Sequence, residues 1–182
     1  MRLRFLTYVA IAAALVLSAI SSNAAAAPAT PGEYKVKAAF LYNFAKYVEW
    51  PPEAFPSDHS PIVVTILGSP PLSDAFDAIR GKSVKSRKLD IRQAGRMEDV
   101  GASHILFVCD SERQRTAQIV ESVSNKSILT ISDMKNFAKS GGMISFITIE
   151  GKIRFDINLE SARRSGLKIS SQLLKLARTV IE

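Results

Sequence analysis

Catalysis at neutral pH draws first on histidine and cysteine, and this chain of 182 residues carries two histidines and one cysteine. His59 falls in a Pro-, Ser- and Asp-rich stretch and His104 opens an apolar run, so neither stands beside a nucleophile or an orienting acid in a recognisable motif. No G-x-S-x-G elbow, H-E-x-x-H pair, P-loop or G-x-G-x-x-G turn occurs, and Gly68-Ser69 has too little glycine to cradle a phosphate. Cys109 ends an apolar run just before an expected helix start, a place where a thiol pKa can fall. The same position suits a small buried hydrophobe, and packing is the reading adopted for it. No residue set points to a catalytic, cofactor or metal site. An exported hydrolase with an unrecognised site stays as the enzyme-class alternative.

Recognition is the chemistry that remains. The densest basic stretch, Lys82, Lys85, Arg87, Lys88, Arg92 and Arg96, suits an anionic glycan, a lipid headgroup or an acidic protein face. It equally suits an edge strand protected by charge. Aromatic residues cluster at Phe40, Tyr42, Phe44, Tyr47 and Trp50. Phe40, Phe44 and Tyr47 share an apolar stripe and read as core. Tyr42 on the outer face and Trp50 at a helix-ending kink are the candidate anchors for a partner, with Arg87 as the basic candidate.

The elements that would hold these residues follow from spacing. Thr30-Pro31-Gly32-Glu33 supplies a capping box, and a helix runs from there with Val36, Phe40, Leu41, Phe44, Tyr47 and Val48 on its apolar side until Pro51-Pro52 stops it. Lys37 falls on that stripe and is expected to snorkel from it. Ile62 to Leu67 reads as a strand, Pro70 to Arg80 as a helix closed by Gly81, and Val84 to Gln93 as a polar strand near an edge. Ile105 to Cys109 reads as an interior strand, Asp110 or Ser111 as the cap of a helix to Ser122, Ser127 to Ile131 as a strand, and Asp133 as the cap of a short helix before Gly141. Met143 to Ile149 and Lys152 to Ile157 flank the hairpin turn Glu150-Gly151, Asn158 caps a short helix, and a last helix spans Ile169 to Val180. The expected fold is an α/β single-domain three-layer sandwich, with a mixed, mostly parallel sheet, a C-terminal antiparallel hairpin and flanking helices.

The first residues address the chain. Arg2 and Arg4, the apolar run Phe5 to Ile20 and the small residues to Ala27 read as a secretory signal over residues 1–24, followed by a leader at 25–32 and the domain at 33–182. The apolar run is shorter than the roughly 20 residues of a spanning helix. With no cysteine at the junction, lipoprotein processing is excluded. Removing the signal lowers the net charge from +7 to +5, leaving 22 Lys+Arg against 17 Asp+Glu. A lone cysteine excludes an internal disulfide. Export from the cytoplasm argues against nucleotide cofactors and nucleic-acid partners.

Three stretches carry a family likeness: YKVKAAFLYNFAKYVEWPP from Tyr34 to Pro52, SHILFVC from Ser103 to Cys109, and Ile128 to Ala177, which contains GGMISFITIEGKIRFDINLESARRSGLKISSQLLKLA. Together they resemble the YfiR family, also called HmsC-like, over essentially the whole mature domain. The resemblance implies a periplasmic, non-enzymatic regulator that binds the periplasmic sensor domain of an inner-membrane diguanylate cyclase and represses it. It also implies sequestration by an outer-membrane lipoprotein, with release of cyclic di-GMP signalling and biofilm formation. Characterised members carry disulfides, which Cys109 alone cannot form, so redox control does not carry over. Interface residues do not carry over either, and a homodimer stays open. A ligand-binding accessory of a histidine kinase or transport system is the alternative within binding proteins.

Overall fold

The computed structural model describes residues 30–70 and 74–182, so the signal reading and the leader up to residue 29 lie outside the described residues. In chain order the elements are α1 (Pro31–Tyr47), β1 (Val48–Glu49), β2 (Ile62–Leu67), α2 (Asp74–Asp77), β3 (Ser83–Val84), β4 (Arg87–Ala94) and β5 (Ile105–Val108). There follow α3 (Thr116–Val123), β6 (Leu129–Ser132), β7 (Ile144–Ile149), β8 (Lys152–Asn158), α4 (Leu159–Arg164), β9 (Lys168–Ile169), α5 (Ser171–Leu176) and β10 (Thr179–Ile181). Eight strands form one sheet in the order β10-β8-β7-β6-β5-β2-β4-β3. Pairing is parallel from β4 through β2, β5 and β6 to β7 and again between β8 and β10, and antiparallel in the β7–β8 and β3–β4 hairpins.

Every residue of β2, β5 and β6 is buried, as strands covered on both faces require. Alternation sorts their side chains into two cores. Val64, Ile66, Ile105, Phe107, Leu129 and Ile131 pack beneath α1 with Leu41 and Phe44, while Leu67, Leu106 and Val108 pack with Ile119 and Val123 of α3 on the other face. Three layers result, with the sheet in the middle. At the hairpin, Glu150 (φ 49°) and Gly151 (φ 71°) both take left-handed backbone, the geometry whose twist matches two right-twisted strands.

The first helix starts where its cap predicts: Thr30 Oγ1 accepts from Glu33 N–H at 3.3 Å and Pro31 occupies the first turn. Its buried face is rotated from the expected stripe. Val36 is 45% exposed, whereas Tyr34, Lys37, Ala38, Leu41, Phe44 and Ala45 are buried. Lys37 does not snorkel. Its Nζ lies 2.7 Å from Asp133 and 2.8 Å from Glu33, and two carboxylates are what allow an ammonium to leave water.

Other local expectations are corrected for similar reasons. Among the described residues, the expected helix from Pro70 to Arg80 is α2, Asp74–Asp77, followed by turns to Gly81. Val84 to Gln93 is two strands, because Lys85 takes φ 54° and reverses the chain between β3 and β4. Asp133 caps no helix, since its carboxylate goes to Lys37 and Tyr34 and residues 135–141 form turns. The final helix is replaced by β9, α5 and β10. Val48–Glu49 recruit Lys168–Ile169 into a two-stranded ladder, and β8 offers an open edge that Thr179–Ile181 fill. Leu176, within the span of that expected helix, is 65% exposed.

Candidate functional site

A groove of about 710 Å³ opens where the C-terminal end of α1 meets β1, the loop after Trp50 and the β3–β4 turn. Core side chains Ala45, Val48, Ile62 and Val84 line it together with Trp50, Phe55, Pro52 and Pro56. Polar groups come from Glu49, Ser57, Asp58, Lys85, Ser86 and Arg87. A concavity of this size, lined by apolar side chains and a comparable share of polar groups, fits a ligand or an inserted partner side chain.

Two of the three candidate contact residues line this groove, and the third lies beside it. Trp50 is half-buried and donates from Nε1 to the His104 carbonyl at 3.2 Å, so its ring is held in place rather than swinging from a kink. Arg87 donates from Nη1 to the carbonyls of Ser57 (2.7 Å) and Ser60 (2.8 Å), and its guanidinium lies 3.7 Å from the centre of the Phe55 ring. That places Arg87 as a clasp between the β3–β4 hairpin and the loop. Tyr42 is not a free outer-face anchor: its hydroxyl donates to the Ser83 carbonyl at 3.1 Å, and Lys46 and Lys82 approach its ring at 4.1 and 5.5 Å.

Behind the groove wall, Phe55 stacks on His104 at 4.3 Å with an interplanar angle of 14°, so guanidinium, phenyl and imidazole form one column. His104 Nδ1 accepts from Val63 N–H at 3.0 Å. Its Nε2 must therefore carry the proton and donate to the Ala54 carbonyl at 3.0 Å. Burial pushes the His104 pKa below 6.5, with Arg87 and Arg92 adding to the effect and the Ala54 bond opposing it. This histidine is a strut for the loop, with both nitrogens committed to main chain. Nothing in the spacing of the sequence linked Phe55 to His104, since the two are joined only by tertiary contact.

A second polar cluster lies under the other end of α1. Tyr34 hydroxyl donates to Asp133 Oδ2 at 3.0 Å beside the Lys37–Asp133 pair, and Asp133 Oδ1 is buried without a hydrogen-bond partner. Burial and then the Asp133 charge raise the Tyr34 pKa. Burial, followed by Asp133 and two further carboxylates, pushes the Cys109 thiol up to about 12. The thiol is protonated and 1% exposed, which makes Cys109 packing rather than a nucleophile. A lysine on the apolar stripe was the one visible signal of this cluster.

Open α/β sheets commonly bind ligands where strand order reverses, at the carboxyl ends of the strands. Here that point lies between β2 and β5, and the chain itself fills it. Gly68 (φ 92°) lets Ser111 and Glu112 press against its α-carbon, and Ser111 Oγ accepts from Ser69 N–H at 2.9 Å. The buried Glu112 pairs with Arg115 at 2.6 Å. The groove beside Trp50 is thus displaced from the usual ligand position of the architecture.

Among the described residues no group of three or more His, Cys, Asp or Glu could hold a metal ion, and no helix is long and apolar enough to cross a membrane. His59 lies in the exposed loop beyond the groove and touches none of these clusters. The YfiR/HmsC-like family matches residues 34–178, a span that contains all but the first three residues of α1 and every groove-lining residue and stops just short of β10. With a match over most of its length, the chain belongs to the YfiR/HmsC-like family.

Proposed function

We propose that the protein is a periplasmic regulator without catalytic activity that binds the periplasmic sensor domain of an inner-membrane diguanylate cyclase and holds the cyclase off. The family match over residues 34–178 is the observation that carries this reading. The site agrees with it in kind. Both histidine nitrogens of His104 and the thiol of Cys109 are committed to structure, whereas a preformed aromatic groove is left open at one end of the domain. Repression then works by mass action between competing partners, and an outer-membrane lipoprotein that captures the regulator would release the cyclase. The contact is assigned to the end of the molecule that carries Tyr42, Trp50 and Arg87. Secretion by the signal at residues 1–24 places the domain where both partners can reach it.

Deletion of the gene tests the reading directly. Cellular cyclic di-GMP and surface attachment are expected to rise, and wild-type protein restores them. Trp50→Ala, which removes one groove wall, is expected to complement only partly at equal abundance, as loss of an aromatic anchor of about 2 kcal/mol would give. An unchanged nucleotide level on deletion refutes cyclase repression.

A further inference from the structure

The groove carries information about what enters it. Trp50 and Phe55 are fixed before any partner arrives, the first by the His104 carbonyl and the second between Arg87 and His104, so an aromatic-walled slot exists in the free protein. Such preorganisation favours a single large apolar side chain as the inserted group. The flank of the groove along the β3–β4 hairpin is basic. Lys85 stands at the tip of the β3–β4 turn, Lys82 and Lys88 flank it, and Lys46 joins Lys82 against the Tyr42 ring. None of these four lysines makes an ion pair among the described residues. Ammonium groups gathered without carboxylates attract acidic partners and set the orientation in which they dock.

Glu49 and Asp58 line the groove as well, supplied by β1 and the loop after Phe55. They oppose any polyanion that would blanket the whole mouth, such as an anionic lipid surface. A segment that lays its acidic residues along the lysines while one side chain enters the slot avoids them. We infer that the groove and its lysine flank form a docking site for an acidic, extended peptide segment bearing one large apolar side chain. This deepens the regulator reading and rests on its premise that the protein acts by binding another protein.

The chain's sole tryptophan is Trp50, so its fluorescence reports occupancy of the groove directly. The probe is the blocked pentapeptide Glu-Glu-Phe-Glu-Glu, titrated into the mature domain at low salt. A saturable change in Trp50 emission is expected, absent with Lys-Lys-Phe-Lys-Lys and with Glu-Glu-Ser-Glu-Glu. The Lys82→Glu/Lys85→Glu double variant, which alters only exposed side chains, is expected to weaken binding about tenfold or more while its melting temperature stays close to wild type. No saturable response, equal binding of the basic peptide, or unchanged affinity in the double variant overturns the assignment. Tighter binding of phosphatidylglycerol vesicles than of the peptide also overturns it, in favour of a membrane surface. Peptide binding with no rise in cyclic di-GMP on deletion would sink the cyclase reading and leave the docking site standing. A rise on deletion with no peptide binding would do the reverse.

Discussion

Two side chains decide how the groove and the core around it respond to conditions. His104 is native only as the neutral Nε2–H tautomer, because a proton on Nδ1 would face the Val63 N–H it now accepts from. Its folded pKa lies below the ordinary 6.5. Between the two values the unfolded chain binds the extra proton, so this contribution to stability is complete above pH 6.5 and shrinks as pH falls below it. Urea midpoints measured from pH 7.5 down to pH 5 are expected to fall for wild type and to fall less steeply for His104→Gln, which starts lower. Equal slopes would mean that other groups carry the acid sensitivity. At the opposite end of α1, Asp133→Ala would leave the Lys37 ammonium buried with only Glu33 as partner. Its expected cost in denaturant titration is about 3 kcal/mol, and Asp133→Asn, which keeps an oxygen for both donors, is expected to cost clearly less.

Elements were legible where one segment specifies itself. The Thr30 cap, the Glu150-Gly151 reversal, the Asn158 cap and the buried runs of β2 and β5 stand in the structure as their residues imply, since each depends on neighbours in sequence. Elements were misread where a distant segment had the deciding voice. The apolar spacing from Ile169 to Val180 fits a helix, yet β1 takes its first residues and β8 its last as strands. Asp133 has the type and position of a helix cap but is drawn to Lys37, far away in sequence. The candidate site divides in the same way. Trp50 and Arg87 were visible as an aromatic at a helix-ending kink and part of a basic run, whereas the role of Phe55 and the groove itself exist only once three segments meet. The turn segment before β7 gives a test at this scale. A methyl group at Gly142 would run into the fully buried Phe137 ring. Gly142→Ala is therefore expected to lower stability by about 2 kcal/mol through overpacking, read as a fall in melting temperature. A wild-type melt would show that the ring has room to move.

For the whole molecule, the crevice at Gly68 is filled and the open groove at the far end of α1 lies away from the sheet's usual ligand position. The family match extends over that end without covering β10. The two-stranded ladder β1–β9 has one more consequence. Val48 pairs with Ile169, Glu49 with Lys168, and the Tyr47 carbonyl accepts from Ser170 N–H at 2.9 Å, so the first helix is anchored by residues near the end of the sequence. A chain still emerging from the ribosome has nothing to close that clasp with until residues 168–170 have been made. Long-range closure of this kind delays commitment to the native topology. Under the export reading, such delay keeps the polypeptide threadable through a narrow translocon and defers locking of its amino-terminal helix to the compartment in which it acts.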